Sequence, residues 1–225
     1  MTTWDDYWKK KSGPEGVYDK IASAYRSRFI TRRLGQVLRR EFPYGASLLH
    51  AGCGSGDVDV PLVDSFRIRA VDSSDVAVGR YPWVTRRPAW KGDVRKLQIE
   101  SYFFDGVYCL GLLEHFEGLD LQSVLAEFYR VLRPTGRLVA FWPHRLAPSV
   151  LALKMAKALT GREFHPPEPT LLQGREHARA LLEPSGFALK SYEFGPSDGY
   201  IQAVIVAVKP QLTIPSTSGL SWQPA

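Results

Sequence analysis

Apolar residues fall along this chain in two rhythms. Short apolar-rich runs at 46–51, 66–71, 88–91, 104–110 and 136–142 read as strands, each bounded by turn-forming residues. Longer stretches with apolar positions three and four apart read as helices at 4–12, 15–25, 27–41, 121–132, 147–160 and 173–183. Gly13-Pro14, Pro43, Pro134, Gly161 and Pro184 stop five of them, and Asp120 is placed to cap the start of the helix at 121–132. Two further strands, 186–194 and 200–208, are joined by Gly195-Pro196-Ser197-Asp198-Gly199. That link is too short for a crossover, so this pair must run antiparallel. Strands otherwise alternating with helices predict an α/β, doubly wound, mostly parallel seven-stranded sheet with its last strand antiparallel. Residues 162–172 are Pro-rich and read as a loop; residues 209–225 show little periodicity and read as a loose tail.

The first strand runs straight into Ala51-Gly52-Cys53-Gly54-Ser55-Gly56-Asp57, three glycines at alternate positions before a segment that can turn helical. The second strand ends on Asp72, followed by Ser73. A glycine turn lets backbone approach a ligand closely, and an acidic residue on the neighbouring strand tip suits a ribose diol. Two ligands compete for such a site. A dinucleotide fingerprint, G-x-G-x-x-G, would place its third glycine at Asp57, where a carboxylate would face the pyrophosphate. G-x-G-x-G followed by Asp57 fits a ligand without phosphates, such as S-adenosylmethionine, better than NAD or FAD.

Further segments follow in order: Gly92-Asp93-Val94, Phe104 through Phe116 with Leu110-Gly111-Leu112-Leu113-Glu114-His115, and Val131-Leu132-Arg133-Pro134-Thr135-Gly136. With the glycine turn and Val71-Asp72-Ser73-Ser74, these make five segments by which the chain resembles the class I S-adenosylmethionine-dependent methyltransferases. The resemblance covers residues 15–208 and is narrowest to the small methyltransferase domain of ubiquinone and menaquinone biosynthesis. It implies a Rossmann-like methyltransferase fold and S-adenosyl-L-methionine as cofactor. One position departs: the family usually carries Asp or Glu two residues before the first glycine, where this chain has His50. By the resemblance, cofactor contacts fall to Ala51, Gly52, Cys53, Gly54, Gly56, Asp72, Ser73, Asp93, Val94, Leu110 and Gly111. Asp93 would accept from the adenine amino group, and the Val94 amide would meet a ring nitrogen.

Residues 1–43 are expected to form N-terminal helices that act as a lid, with Tyr18 and Tyr25 turned to the cofactor. Residues 144–172 are expected to form a substrate-cap insertion, and residues 1–208 a single methyltransferase domain. The aromatics of these parts suit a flat or greasy small-molecule methyl acceptor, aromatic, quinone-like or lipid-like. A protein or RNA methyltransferase and a cofactor-binding regulator that transfers nothing are the alternatives. Methyl transfer needs alignment above all, and a base if the acceptor must lose a proton. His115, His144 and His165 are the candidate catalytic residues; in this family Glu-His after the fourth strand often has no catalytic duty.

Composition adds a few limits. Across 225 residues, 44% are hydrophobic, enough for one sizeable core. No apolar run approaches the ~18 residues of a membrane span, the N-terminus lacks the order of a signal peptide, and Cys53 and Cys109 do not make a metal or disulfide pattern. A cytoplasmic enzyme without a metal follows. The net charge of +6 includes a crowd of Arg26, Arg28, Arg32, Arg33, Arg39 and Arg40. These read either as a solvated helix face or as attraction to an anionic partner, including peripheral contact with a membrane surface. Aromatics are not interleaved with this run, which argues against nucleic acid.

Overall fold

A computed structural model describes residues 4–11, 29–161, 167–196, 200 and 202–211. Its seven strands are β1 (Ser47–Ala51), β2 (Arg67–Asp72), β3 (Ala89–Lys91), β4 (Phe104–Leu110), β5 (Leu132–Pro143), β6 (Ala188–Glu193) and β7 (Gln202–Val208). They form one sheet in the order β3-β2-β1-β4-β5-β7-β6. β1 pairs in parallel with β2 and β4, β2 with β3, and β4 with β5, while β7 runs antiparallel to both β5 and β6. The expected doubly wound architecture is therefore present, with the chain order reversing between β1 and β4. Ligand crevices in open α/β sheets form at that switch, beyond the carboxyl ends of the strands.

Six helices are described: α1 (Trp4–Lys11), α2 (Thr31–Glu41), α3 (Asp75–Thr85), α4 (Gly118–Val131), α5 (Pro148–Thr160) and α6 (Arg175–Leu182). Both faces of the sheet are covered. On one face, Leu34, Val37 and Leu38 of α2 pack with Leu48, Tyr108, Val139 and Val206. On the other, Leu121, Val124, Leu125 and Phe128 of α4 pack with Leu49, Val107, Leu138 and Ile205. Each such fully buried side chain contributes ~1.5–3 kcal/mol through apolar surface removed from water.

Several boundaries differ from the sequence reading. α3 was not expected, because its apolar residues follow no clear stripe and Pro82 lies inside it. Ser74 starts it by accepting from the Ala77 amide, and the parallel pairing of β2 with β3 demands a crossover of this kind. The segment after the glycine turn runs as consecutive turns rather than a helix, with Pro61 lacking an N–H for the helical ladder. α4 begins at Gly118 with Glu117 as its N-cap, so Asp120 lies in the first turn and pairs with Arg95 instead. Lys209 does not belong to a loose tail. Its ammonium donates to the carbonyls of Tyr129 (2.6 Å) and Leu132 (2.7 Å) and sits over the rings of Tyr102 and Tyr129. The expected helix at 15–25 and the tail from 212 onward lie outside the described residues.

Candidate active site

A cavity of about 670 Å³ opens at the carboxyl ends of β1, β2, β3 and β4. Ten of the residues expected to hold a cofactor line it: Gly52, Cys53, Gly54, Gly56, Asp72, Ser73, Asp93, Val94, Leu110 and Gly111. Ala51 is buried beneath them in the strand and does not line the cavity, while Tyr18 and Tyr25 lie outside the described residues.

Asp72 does more than wait for a ligand. Its Oδ2 accepts from the Gly54 amide and its Oδ1 from the Ser74 amide, both at 2.9 Å. One carboxylate thus clamps the glycine turn to β2 and shapes the start of α3. Each oxygen keeps a second lone pair for a ligand in the cavity. The glycines are needed by the protein itself as well as by a ligand. A Cβ on Gly54 (φ +53°) would stand 2.6 Å from the Trp8 ring, and one on Gly56 (φ +82°) 2.6 Å from the Tyr81 ring. α1 therefore lies across the turn. Its Asp5 Oδ1 accepts from the Ser74 hydroxyl at 2.5 Å, and its Trp4 meets His115 edge-on at 4.8 Å.

The acidic residue missing two positions before Gly52 reappears in space. His50 Nδ1 is 2.7 Å from Oδ2 of Asp59, which is fully buried in the turns after the glycines. Tyr81 and Tyr108 donate to the same carboxylate at 2.6 Å each, and the His50 ring stacks on Tyr108. Burial and the Asp59 charge push both tyrosine hydroxyls well above their ordinary acidity range, so they act only as neutral donors. His50 lines the cavity with its ring orientation fixed by a carboxylate behind it. Sequence reasoning missed Asp59; the available signal was a carboxylate in a turn otherwise filled with apolar residues.

Asp93 is held by Arg95, whose guanidinium donates to both carboxylate oxygens at 2.8–3.1 Å and holds that carboxyl below the usual range. Beyond Gly111 the cavity continues past Glu114, Phe116, Pro143, Val150, Glu168 and Gln202. The three candidate histidines separate here. His115 lines the cavity, with Nδ1 2.9 Å from the Pro167 carbonyl. His144 does not line it: the chain after β5 bridges to Leu172, and His144 turns inward to stack on Phe194. Its Nδ1 accepts from the Leu146 amide at 3.1 Å, and burial pulls its pKa down. His165 lies outside the described residues. Glu114, given no role beforehand, is buried in the wall.

Among the described residues, four carboxylates, Asp57, Asp72, Asp93 and Glu168, and the buried carboxyl of Glu114 line the cavity, against the single guanidinium of Arg95. In a chain of net charge +6, the pocket has the opposite sign to the whole. Such a lining repels a pyrophosphate and suits a ligand that carries positive charge. The volume is that of a small-molecule site. Among the described residues no group of His, Cys, Asp and Glu is arranged to hold a metal ion, and no helix is long and apolar enough to cross a membrane.

The arginine crowd is partly spent inside the fold. Arg33 pairs with Glu193, Arg40 with Glu41 (3.1 Å) and Glu193 (2.9 Å), and Arg39 donates to the Pro61 carbonyl. Arg26 and Arg28 lie outside the described residues.

Residues 49–140 match the family model of a methyltransferase domain. Two curated relatives align. One is the ubiquinone/menaquinone biosynthesis C-methyltransferase UbiE of Desulfotalea psychrophila, 31% identical over 144 residues, 58% of each chain. The other is the O-methyltransferase cnsE of Penicillium expansum, 28% identical over 145 residues, 60% of this chain and 48% of that one. The aligned part thus spans about half the length of these relatives. Among solved structures, magnesium protoporphyrin IX methyltransferase (ChlM) of Synechocystis PCC 6803 with bound SAH shares the fold. Its TM-score is 0.66 at 19% identity, covering 91% of this chain and 93% of that one.

Proposed function

We propose that this chain, which belongs with the class I S-adenosylmethionine-dependent methyltransferases, binds S-adenosylmethionine in the acidic cavity and transfers its methyl group to a small-molecule acceptor. The observation that carries the reading is the excess of carboxylates on a pocket built from a glycine turn and the β2 acid. S-adenosylmethionine supplies a methyl group activated by positively charged sulfur. Asp72 takes the ribose hydroxyls on its remaining lone pairs, and Val94 and Asp93 border the adenine. His50, braced by Asp59, stands where the family's acidic residue meets the amino-acid end. The acceptor enters past Phe116, Pro143 and Val150, an apolar wall suited to a flat or greasy molecule. α1 covers the cavity and excludes water from it, and residues 144–172 shape the acceptor side of what we take as one domain over residues 1–208. The two curated relatives, one named for C- and one for O-methylation, support a small molecule as acceptor without choosing the atom.

Calorimetry with S-adenosylmethionine, its demethylated product and NAD tests the cofactor. Binding of both sulfur compounds at micromolar strength, about −8 kcal/mol, is expected. Binding of NAD alone would refute the reading. Incubating the protein and a metabolite extract with methyl-deuterated S-adenosylmethionine, then searching by mass spectrometry for labelled products, tests the transfer and names the acceptor.

A further inference from the structure

Glu114 lies on the 3-10 turn Leu113–His115 that follows β4, and only 2% of its surface is exposed. It lines the cavity, and among the described residues its Oε2 has no hydrogen-bond partner. Its Oε1 is 3.5 Å from the point where a Cβ on Gly111 would stand, so the carboxyl reaches back to the tip of β4. In the reading proposed above, that tip lies between the cofactor and the acceptor. A buried carboxyl oxygen with nothing to bond is costly to maintain, and the fold makes no use of it. Gln202, on β7, likewise has a buried Oε1 without a partner among the described residues. Two unmet acceptor atoms in the wall of one cavity call for a ligand that brings hydrogen-bond donors.

We propose that Glu114 is the proton acceptor of this site: ionised beside the donor's sulfonium, it takes the proton that the methyl acceptor loses. The inference rests on the function proposed above. The acceptor's X–H bond breaks and its proton moves to Glu114 Oε2. The electron pair left on X forms the new bond to the methyl carbon, and the pair of the broken S–C bond stays on sulfur. A sulfonium and a carboxylate enter the step, and a neutral thioether and a neutral carboxylic acid leave it. Burial favours the uncharged side of such an exchange. It pushes the Glu114 carboxyl up to about 8, with Glu168 adding to the rise and its own backbone amide opposing it. The acid that remains after transfer is thus the form the wall prefers, and only the positive charge of the donor draws out the base. This narrows the acceptor class to molecules that shed a proton when methylated, such as phenols, enols or amines bearing N–H. Gln202 Oε1 supplies a second point for a donor group on the same molecule. His144 is less suited, since it turns away from the cavity and stacks on Phe194.

The test compares S-adenosylmethionine with its demethylated product by calorimetry on the full chain at pH 6.5 and 8.5, in phosphate and in Tris. If the sulfonium weakens the carboxyl's hold on its proton tenfold, the preference for the charged compound rises about sixfold between those pH values. Glu114→Gln keeps the shape and removes the titration, so its preference should be flat with pH and its binding of the demethylated product unchanged. In parallel, with cofactor kept below saturation, labelled-methyl incorporation into the metabolite extract should rise with pH to near 8 and level off. Glu114→Gln should lower it by about 100-fold and erase the rise, and Glu114→Asp should keep the rise at a reduced rate. A flat preference in the unaltered protein, or full incorporation with the same pH rise in folded Glu114→Gln, would overturn the assignment. Failure of either sulfur compound to bind the unaltered protein would instead strike at the cofactor reading, and this assignment would fall with it.

Discussion

Replacing Asp59 with Ala is the sharpest probe of the arrangement beneath the cavity. The carboxylate is fully buried and serves three donors: His50 Nδ1 at 2.7 Å, Tyr81 at 2.6 Å and Tyr108 at 2.6 Å. Truncation leaves all three without a partner. An orphaned buried polar group costs ~1–3 kcal/mol, and loss of a buried charge-assisted network ~3–5 kcal/mol in total. Water entering from the neighbouring cavity can reach His50 more readily than Tyr108, which lies deeper in the sheet, so a loss of about 3–4 kcal/mol is expected. A domain of this size has only ~5–15 kcal/mol to lose, so the variant should fold but melt markedly lower. Tyr108→Phe removes one donor and leaves Asp59 two, so it should cost only about 1–2 kcal/mol. Urea unfolding followed by tryptophan fluorescence measures both, with unchanged slopes confirming that the denatured states are comparable. A loss below about 1 kcal/mol for Asp59→Ala would show that the three contacts do not act as a buried network, and the account of how His50 is oriented would fail with it.

Three other expectations follow from the same geometry. Asp72→Ala should weaken binding of the demethylated cofactor by about 2–4 kcal/mol and, unlike a simple ligand contact, should also speed amide exchange at Gly54 and Ser74; unchanged affinity in a folded variant would mean the ribose is misplaced. Gly54→Ala, which drives a methyl group into the Trp8 ring from a left-handed backbone, should dislodge α1 and weaken cofactor retention much as deletion of residues 1–12 does, so an unaffected dissociation constant in both would leave α1 as packing alone. Glu114 is held protonated in the fold up to about pH 8 but ionises near 4.5 when unfolded, so its contribution is fully present below pH ~4.5 and is lost as the pH rises to ~8; Glu114→Gln should therefore gain stability relative to the unaltered protein across that window, and parallel stability curves would contradict the assignment.

What could be read from the sequence was what lies close together in it. The glycine turn, Asp72 and Gly111 are each fixed by a strand end, and strand ends are set by local apolar runs. α3 was missed because its stripe is weak and Pro82 interrupts it, although the parallel pairing on either side requires it. His144 looked like a rim residue because it follows β5. Only the bridge to Leu172 and the stack on Phe194 turn it inward, and neither contact has a local signature. The same limit hid the partners of the glycines. Trp8 over Gly54 and Tyr81 against Gly56 join segments tens of residues apart, and they show that those positions answer to packing as well as to a ligand.

At His50 the chain departs from the family it resembles, and the residues of the site change places. A family acid at that position would put a carboxylate directly on the cavity wall. Here the carboxylate sits one layer back as Asp59, and an imidazole stands between it and the ligand. Three hydrogen bonds keep Asp59 satisfied without a ligand, so the negative charge is stabilised in the empty and the filled state alike. The imidazole, its orientation fixed by Asp59, is the group presented to the cavity. At the other end of the cavity Glu114 shows the reverse design, a carboxyl left unsatisfied until something arrives. A ligand that is positive at sulfur and at its amino group meets a prepared acceptor at one end and creates its own counter-charge at the other. Affinity for the charged cofactor should therefore rise with pH as Glu114 ionises, and Glu114→Gln should flatten that rise while Asp59→Asn lowers affinity and leaves the rise in place.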